Sequence, residues 1–169
     1  MKNGKAAVSV ESGEYPIFGA NGIIGRTKHA RFSNASIIGR VGAYCGTVYY
    51  CQTDFWASDN TIIASPQNEH IPPIYVFHLL DLMNLNQYAG GAAQPLLTQA
   101  HLSRLPTLDP PEWLLQDFGQ KAEEFRRLQD NLTQQNDLLR QTRDLLLPRL
   151  ISGELDVSEL DIEVPEAGE

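Results

Sequence analysis

The chain has 169 residues, of which 42% are hydrophobic and 20% are charged, a composition typical of a soluble globular protein. This length predicts one domain, with room for an appendage. No apolar run approaches the roughly 20 residues that a membrane-spanning helix needs, and the opening residues lack the apolar core of a signal peptide. We therefore expect a cytoplasmic protein with no membrane partner.

The net charge of −8 is unevenly distributed along the chain. Residues 151–169 contain seven acidic residues and no basic one, whereas residues 1–50 contain six basic residues against two acidic ones, a local charge of +4. Phosphate binding responds to the local patch rather than to the charge of the whole chain. The basic N-terminal part is therefore compatible with a nucleic-acid partner.

Residues 1–108 are predicted to form one globular lobe of the α+β class, with a small twisted β-sheet and short helices. Three short β-prone runs are bounded by turn residues: residues 37–38, 47–50 and 61–64. Residues 72–88 are predicted to be a helix, because Pro72 and Pro73 suit its first turn and apolar residues recur on one face.

Residues 109–148 are predicted to form one long helix. It would begin with Asp109 as N-cap and end at Pro148, which cannot continue the hydrogen-bond ladder. Residues 112–147 alone would extend roughly 54 Å as a helix, too long for the lobe to cover. An apolar stripe with a seven-residue repeat asks for a partner helix, so we expect a dimerising coiled coil. The dimerisation candidates are Phe118, Phe125, Leu128, Leu132, Leu139 and Leu146.

Six segments in chain order carry a family resemblance: GANGIIGR (19–26), IIGRVGAYCG (37–46), FWASDNTII (55–63), GGAAQPLLT (90–98), LPTLDPP (105–111) and LLPRLISGELDV (146–157). Together they resemble one half of a DNA-specificity (S) subunit of a type I restriction-modification enzyme. Members of that family carry two target recognition domains, each followed by a long helix, and the two helices pair antiparallel. The resemblance implies a non-catalytic protein that binds double-stranded DNA and recruits methyltransferase (M) subunits, with a restriction (R) subunit added for cleavage.

The chain departs from that pattern in having one recognition domain and one helix, and in starting close to the YPIFGANG motif. The first departure predicts a half-subunit that forms a homodimer, or pairs with the other half of an S subunit, through residues 109–148. By resemblance, the acidic tail of residues 149–169 contacts the M subunit. The alternative is a truncated fragment that acts as a protein-interaction module without tight DNA binding.

The candidate DNA-binding residues follow glycine-rich turns. A basic cluster at residues 26–31 suits phosphates, and Arg26 is expected to be free to approach a base edge. The competing interpretation of this cluster is a solvated hairpin tip. Asp59 and Asn60 are expected to cap a turn with their side chains rather than to read bases. The full set of candidates is Asn21, Arg26, Lys28, His29, Arg31, Arg40, Tyr44 and Gln94.

The two cysteines, Cys45 and Cys51, are expected to be reduced thiols. Without a CxxC motif or a Cys/His cluster, the sequence predicts no metal site, and it predicts no cofactor. A thiol–imidazole pair of Cys45 and His29 would make the chain a small cysteine hydrolase, but no orienting third residue is evident. Independent catalysis is therefore the weaker hypothesis.

Overall fold

The structure is a computed structural model and describes residues 1–91 and 94–157. Most of the predicted acidic tail lies outside the described residues. The chain divides into two compact units, with the boundary after Glu123. The first unit contains the predicted lobe and the first three turns of the long helix.

Within the described residues, seven short β-strands form two sheets. They are β1 (Lys2–Asn3), β2 (Tyr15–Gly19), β3 (Gly22–Thr27), β4 (Ala35–Gly39), β5 (Val48–Cys51), β6 (Trp56–Ala57) and β7 (Thr61–Ala64). The four-stranded sheet has the order β1-β7-β4-β5 and is antiparallel throughout. The three-stranded sheet has the order β3-β2-β6, with β2 antiparallel to β3 and parallel to β6.

Strands β4 and β7 form the buried centre of the lobe. Both are buried at every position, which fits the adjacent isoleucine pairs at their centres, since both faces of the four-stranded sheet are covered. Alternate residues of the two strands belong to two core clusters. One contains Ile37, Phe55 and Ile63, and the other contains Ile38, Ile62, Leu85 and Leu97. Full burial of each such side chain stabilises the fold by about 1.5–3 kcal/mol.

The first helix of the lobe is shorter than the sequence predicted. Helix α1 (Pro73–Leu82) ends well before Tyr88, because Asn84 adopts a left-handed conformation with φ 49°. A separate 3₁₀ turn follows at Leu85–Tyr88. Helix α2 (Gln99–Leu102) is a single turn, capped by the Thr98 side chain, which accepts a hydrogen bond from the His101 main-chain N–H.

Helix α3 (Glu112–Ile151) is the long helix, with 40 residues. It begins at Glu112 rather than with Asp109 as N-cap, and the Pro111 carbonyl accepts the first main-chain bonds. The helix also passes Pro148, where the sequence predicted its end, and continues to Ile151. Pro148 removes one N–H from the ladder, but the Ser152 N–H still donates to the Pro148 carbonyl at 3.0 Å, so the last turn persists. Gly153, in the left-handed conformation with φ 74°, then follows as helix C-termini favour.

The first turns of α3 pack closely on the lobe. The Gly119 backbone approaches Pro72 so closely that a Cβ there would lie 2.6 Å from the proline Cγ. His70 Nδ1 lies 2.7 Å from the Glu112 carboxylate, and the Gln52 amide donates to Glu123 at 2.6 Å. These contacts fix residues 112–123 on the lobe.

The predicted α+β class, with small sheets and short helices followed by a long helix, is confirmed. Among residues 1–91 and 94–157, none of the helices combines the length and the apolar character that crossing a bilayer demands.

Candidate nucleic-acid interface

Four chain segments meet where strand β4 ends, and we call this surface the loop edge. It comprises residues 19–22, 40–47, 58–60 and the described parts of 90–97. The Arg40 main chain is its centre: its N–H donates to the Asn60 carbonyl at 3.0 Å, and its carbonyl accepts from the Leu97 N–H at 2.8 Å. The Gly42 N–H donates to the Pro95 carbonyl at 3.1 Å. These bonds bring together segments that are far apart in the sequence.

Close backbone packing explains one of the glycines at this surface. A Cβ at Gly39 would collide with the Tyr44 carbonyl and would lie 3.0 Å from the Ala20 carbonyl oxygen. Only glycine lets the β2–β3 turn and the 40–47 loop approach β4 so closely. The turn itself is allowed by Gly22, which has φ 83°.

Half of the predicted DNA-binding residues lie on the loop edge. Asn21 and Gln94 are exposed, Tyr44 is 47% exposed, and Arg40 is partly buried. The structure thus groups four candidates that the sequence presents as separate: Asn21, Arg40, Tyr44 and Gln94.

The Arg40 guanidinium is unpaired within the part of the chain that the structure describes. Its Nε is buried and has no hydrogen-bond partner there, and none of the ion pairs there involves it. A buried donor without a partner costs about 1–3 kcal/mol, more for a charged group. The Arg40 guanidinium therefore holds no hydrogen bond or ion pair within these residues that an outside contact would have to break.

Asn60 also lies on the loop edge, although it is not among the DNA-binding candidates that the sequence predicts. The expected capping by the Asp59 and Asn60 side chains is not what the structure shows. The Ser58 hydroxyl caps this turn instead, accepting from the Asn60 main-chain N–H at 3.3 Å, and both following side chains are exposed. Serine favours local bonds of this type, and that signal was present in the Ser58-Asp59-Asn60 triplet.

The other predicted residues lie at the opposite end of the β2–β3 hairpin, in what we call the basic segment (residues 26–31). Gly19 pairs with Gly22 at the closed end of the hairpin, whereas Tyr15 pairs with Thr27 at its open end. At about 3.3 Å per residue, the two ends of β3 are roughly 17 Å apart. The basic segment begins the connection from β3 to β4 and is not a hairpin tip.

The Arg26 side chain is hydrogen-bonded within the lobe itself. Its Nε donates to the Gly13 carbonyl at 2.8 Å, and its Nη2 donates to the Glu14 carbonyl. The guanidinium thus holds the turn before β2 rather than being free to approach a base edge.

The other candidates of the basic segment, Lys28, His29 and Arg31, are exposed. Lys28 and His29 border an apolar pocket of about 390 Å³ beside Trp56. The Arg31 guanidinium lies 5.3 Å from the centre of the Phe32 ring, a cation–π contact that leaves the side chain exposed. This segment therefore presents compact positive charges to solvent.

Cys45 is not an activated nucleophile. Burial raises the pKa of its thiol, an effect that the main-chain hydrogen bond from Leu97 opposes. The Sγ atom donates to the Arg40 carbonyl at 3.3 Å, while His29 belongs to the basic segment. Both Cys45 and Cys51 are free thiols.

Within the described ranges, no group of three or more His, Cys, Asp or Glu side chains could hold a metal ion.

The predicted dimerisation residues differ in their surroundings. In the first unit, the Phe118 ring makes edge contacts with Tyr75 and His78, at centroid distances of 5.9 and 5.7 Å. In the second unit, the others remain exposed: Phe125 (73%), Leu128 (55%), Leu132 (50%), Leu139 (66%) and Leu146 (39%).

Comparison with known proteins identifies the family of the chain. Residues 2–111 match the family model described as the type I restriction modification DNA specificity domain. The chain therefore belongs to the family of type I restriction-modification DNA specificity proteins, as the sequence motifs predicted. The expectation of a specificity component rather than an independent enzyme is confirmed at this level.

Two relatives show how much of a complete subunit the chain covers. The chain is 39% identical over 104 residues to the type I restriction enzyme EcoprrI specificity subunit of Escherichia coli, across 59% of this chain and 25% of that protein. Its fold is similar to the crystal structure of a type I restriction-modification system S subunit from M. genitalium. The TM-score is 0.78 at 18% identity, covering 89% of this chain and 42% of that one. The chain thus spans about a quarter of the length of the first relative and less than half of the length of the second.

Proposed function

We propose that the chain is a sequence-specific DNA-binding module of a type I restriction-modification complex, acting in the cytoplasm as a half-subunit. The observation that carries this proposal is the attachment of one DNA specificity domain to one long helix with an uncovered apolar row. The local charge of +4 over residues 1–50 supports double-stranded DNA as the ligand of the lobe.

The helix would supply the second half of the complex by pairing with another helix. Phe125, Leu132 and Leu139 are each at least half exposed, and burying such a side chain is favourable by about 1.5–3 kcal/mol. The row is centred on Leu132, so antiparallel pairing with a second copy brings the two Leu132 side chains near each other. The helix of the other half of an S subunit would bury the same apolar row.

The end of the helix would recruit the M subunits, and through them the R subunit where cleavage occurs. Leu150 and Ile151 are exposed at this end, by 39% and 79%. After Ile151, the Glu154 carboxylate pairs with Arg149 Nε at 3.3 Å, and the Leu155 N–H donates to the Arg149 carbonyl. The chain therefore turns back at residues 152–155 and leaves an apolar helix end for a partner.

The salt dependence of DNA binding tests the proposal. Anisotropy of a labelled duplex would be followed over roughly 50–200 mM salt, with the full chain alone and with its co-purified M subunits. We expect affinity to fall steeply with salt. Lys28→Ala should flatten the slope of log affinity against log salt by about one unit and weaken all sequences alike.

Lys121→Ala is the matched control, because that ammonium pairs with Asp117 on α3 at 2.8 Å and lies outside the basic segment. Its slope should equal that of the unmodified chain. A chain that binds no duplex at any salt, yet still co-purifies with M subunits, is the protein-interaction module instead.

A further inference from the structure

We infer that the two surfaces of the lobe divide the work of DNA recognition: the loop edge reads bases, with Arg40 as its central specificity-determining residue, and the basic segment holds phosphates. This inference rests on the proposed DNA-binding function and assigns roles within it.

The side chains of the two surfaces differ in chemistry. The loop edge presents an arginine, a tyrosine and three amides: Arg40, Tyr44, Asn21, Asn60 and Gln94. Arginine donates two hydrogen bonds to guanine, one to O6 and one to N7. Asparagine or glutamine forms two hydrogen bonds with adenine, at N6 and N7. The basic segment instead presents Lys28 and Arg31, and such charges act on phosphates without regard to sequence.

The pairing state of the two arginines assigns the base contact to Arg40. Arg26 already donates from Nε and Nη2 to the Gly13 and Glu14 carbonyls. Arg40 has a buried Nε without a hydrogen-bond partner among the described residues. The Arg40 guanidinium can therefore turn toward a guanine edge without breaking an internal hydrogen bond, whereas Arg26 would first have to give up its two.

The loop edge is also held firmly enough for selective contacts. Arg40 is anchored through its main chain to Asn60 and Leu97, at 3.0 and 2.8 Å, so its side chain is not needed for those bonds. The hydrogen bond from the Gly42 N–H to the Pro95 carbonyl joins the 40–47 and 90–97 loops at a second point. A site supported in this way discriminates better than one on an isolated loop.

The distance between the surfaces suits one duplex. They are roughly 17 Å apart along β3, while the major groove of B-DNA is about 12 Å wide. With the loop edge in the groove, the basic segment falls at the flanking phosphate backbone. One lobe can therefore make both kinds of contact on one DNA molecule.

The test compares Arg40→Ala, Arg40→Lys and Lys28→Ala in the full chain, using a randomised duplex pool to select a preferred sequence. A scrambled duplex of equal length measures discrimination. Arg40→Ala should weaken binding to the selected duplex on the order of 10- to 100-fold and change the scrambled duplex much less. Arg40→Lys should lose most of the same discrimination, because lysine keeps the charge but not the two-pronged donor.

Arg104→Ala is the control, since this exposed arginine lies outside both surfaces. The inference is overturned if Arg40→Ala weakens both duplexes equally, or if Arg40→Lys discriminates as the unmodified chain does. If Arg40→Ala unfolds, Gln94→Ala on an exposed side chain must lower discrimination in its place, and unchanged discrimination overturns the inference. If the unmodified chain selects no preferred sequence from the pool, the proposed function itself is contradicted, and the division of roles falls with it.

Discussion

The main-chain N–H of Leu97 donates to the carbonyl of Arg40 at 2.8 Å. This bond joins segments that lie 57 positions apart in the sequence and places the 90–97 loop beside the end of β4. The Cys45 Sγ atom donates to the same carbonyl. The position of the Arg40 main chain therefore depends on a long-range backbone bond as well as on a nearby side chain.

The apolar row of α3 should drive association of the chain. Leu132→Asp would place a charge against the apolar neighbours of a partner helix and should cost several kcal/mol of association. Light scattering with and without the substitution measures this as a loss of the dimer. Gln134→Asp, at an exposed polar position of the same helix, should leave the dimer intact. A monomer of the unmodified chain at high micromolar concentration, with no partner present, would argue against self-pairing.

Removal of residues 149–169 should separate folding from recruitment. The core of the lobe lies within the first unit, and every residue of the two core clusters precedes residue 106. The thermal unfolding of the lobe should therefore be unchanged, while co-purification with M subunits is lost. An unchanged pull-down after the deletion would remove residues 149–169 from the M-subunit contact.

Cys45 should react slowly with alkylating agents. Since burial raises the pKa of its thiol, less thiolate is present at neutral pH than for an ordinary cysteine, and the reaction should accelerate only at higher pH. Mass spectrometry after brief iodoacetamide treatment should find Cys51, which is partly exposed, labelled first. Denatured protein provides the reference in which both thiols are accessible. Faster labelling of Cys45 in the folded chain would contradict its burial, and a loss of activity of the assembled complex in Cys45→Ser would revive the hydrolase hypothesis.

Gly119→Ala should destabilise the packing of α3 on the lobe. Alanine favours a helix interior by about 0.8–1.0 kcal/mol over glycine, but its Cβ would lie 2.6 Å from Pro72 Cγ. Overpacking of this kind costs about 1–3 kcal/mol, so the melting temperature should fall. Gln134→Ala, on an exposed helix position, should not lower it. A higher melting temperature for Gly119→Ala would mean that the ring of Pro72 yields without cost.

The sequence by itself determined the features that depend on local pattern. A seven-residue apolar repeat without an internal proline predicts a long helix, and α3 covers residues 112–148 of the predicted 109–148 and continues to Ile151. The short β-prone runs at 37–38 and 61–64 likewise predicted the strands β4 and β7, which the structure shows to be buried. The ordered motifs also pointed to the family that the comparisons show.

Only the tertiary structure decided which candidate residues share a surface. Sheet register and loop-to-loop bonds join Arg40 to residues 60 and 97, and no local pattern encodes such pairings. The same holds for Arg26, whose partners are backbone carbonyls 12 and 13 residues away. Side-chain type therefore predicted which residues suit DNA, whereas three-dimensional packing decided which of their donors are free, because a donor is available only where the fold leaves it without a partner.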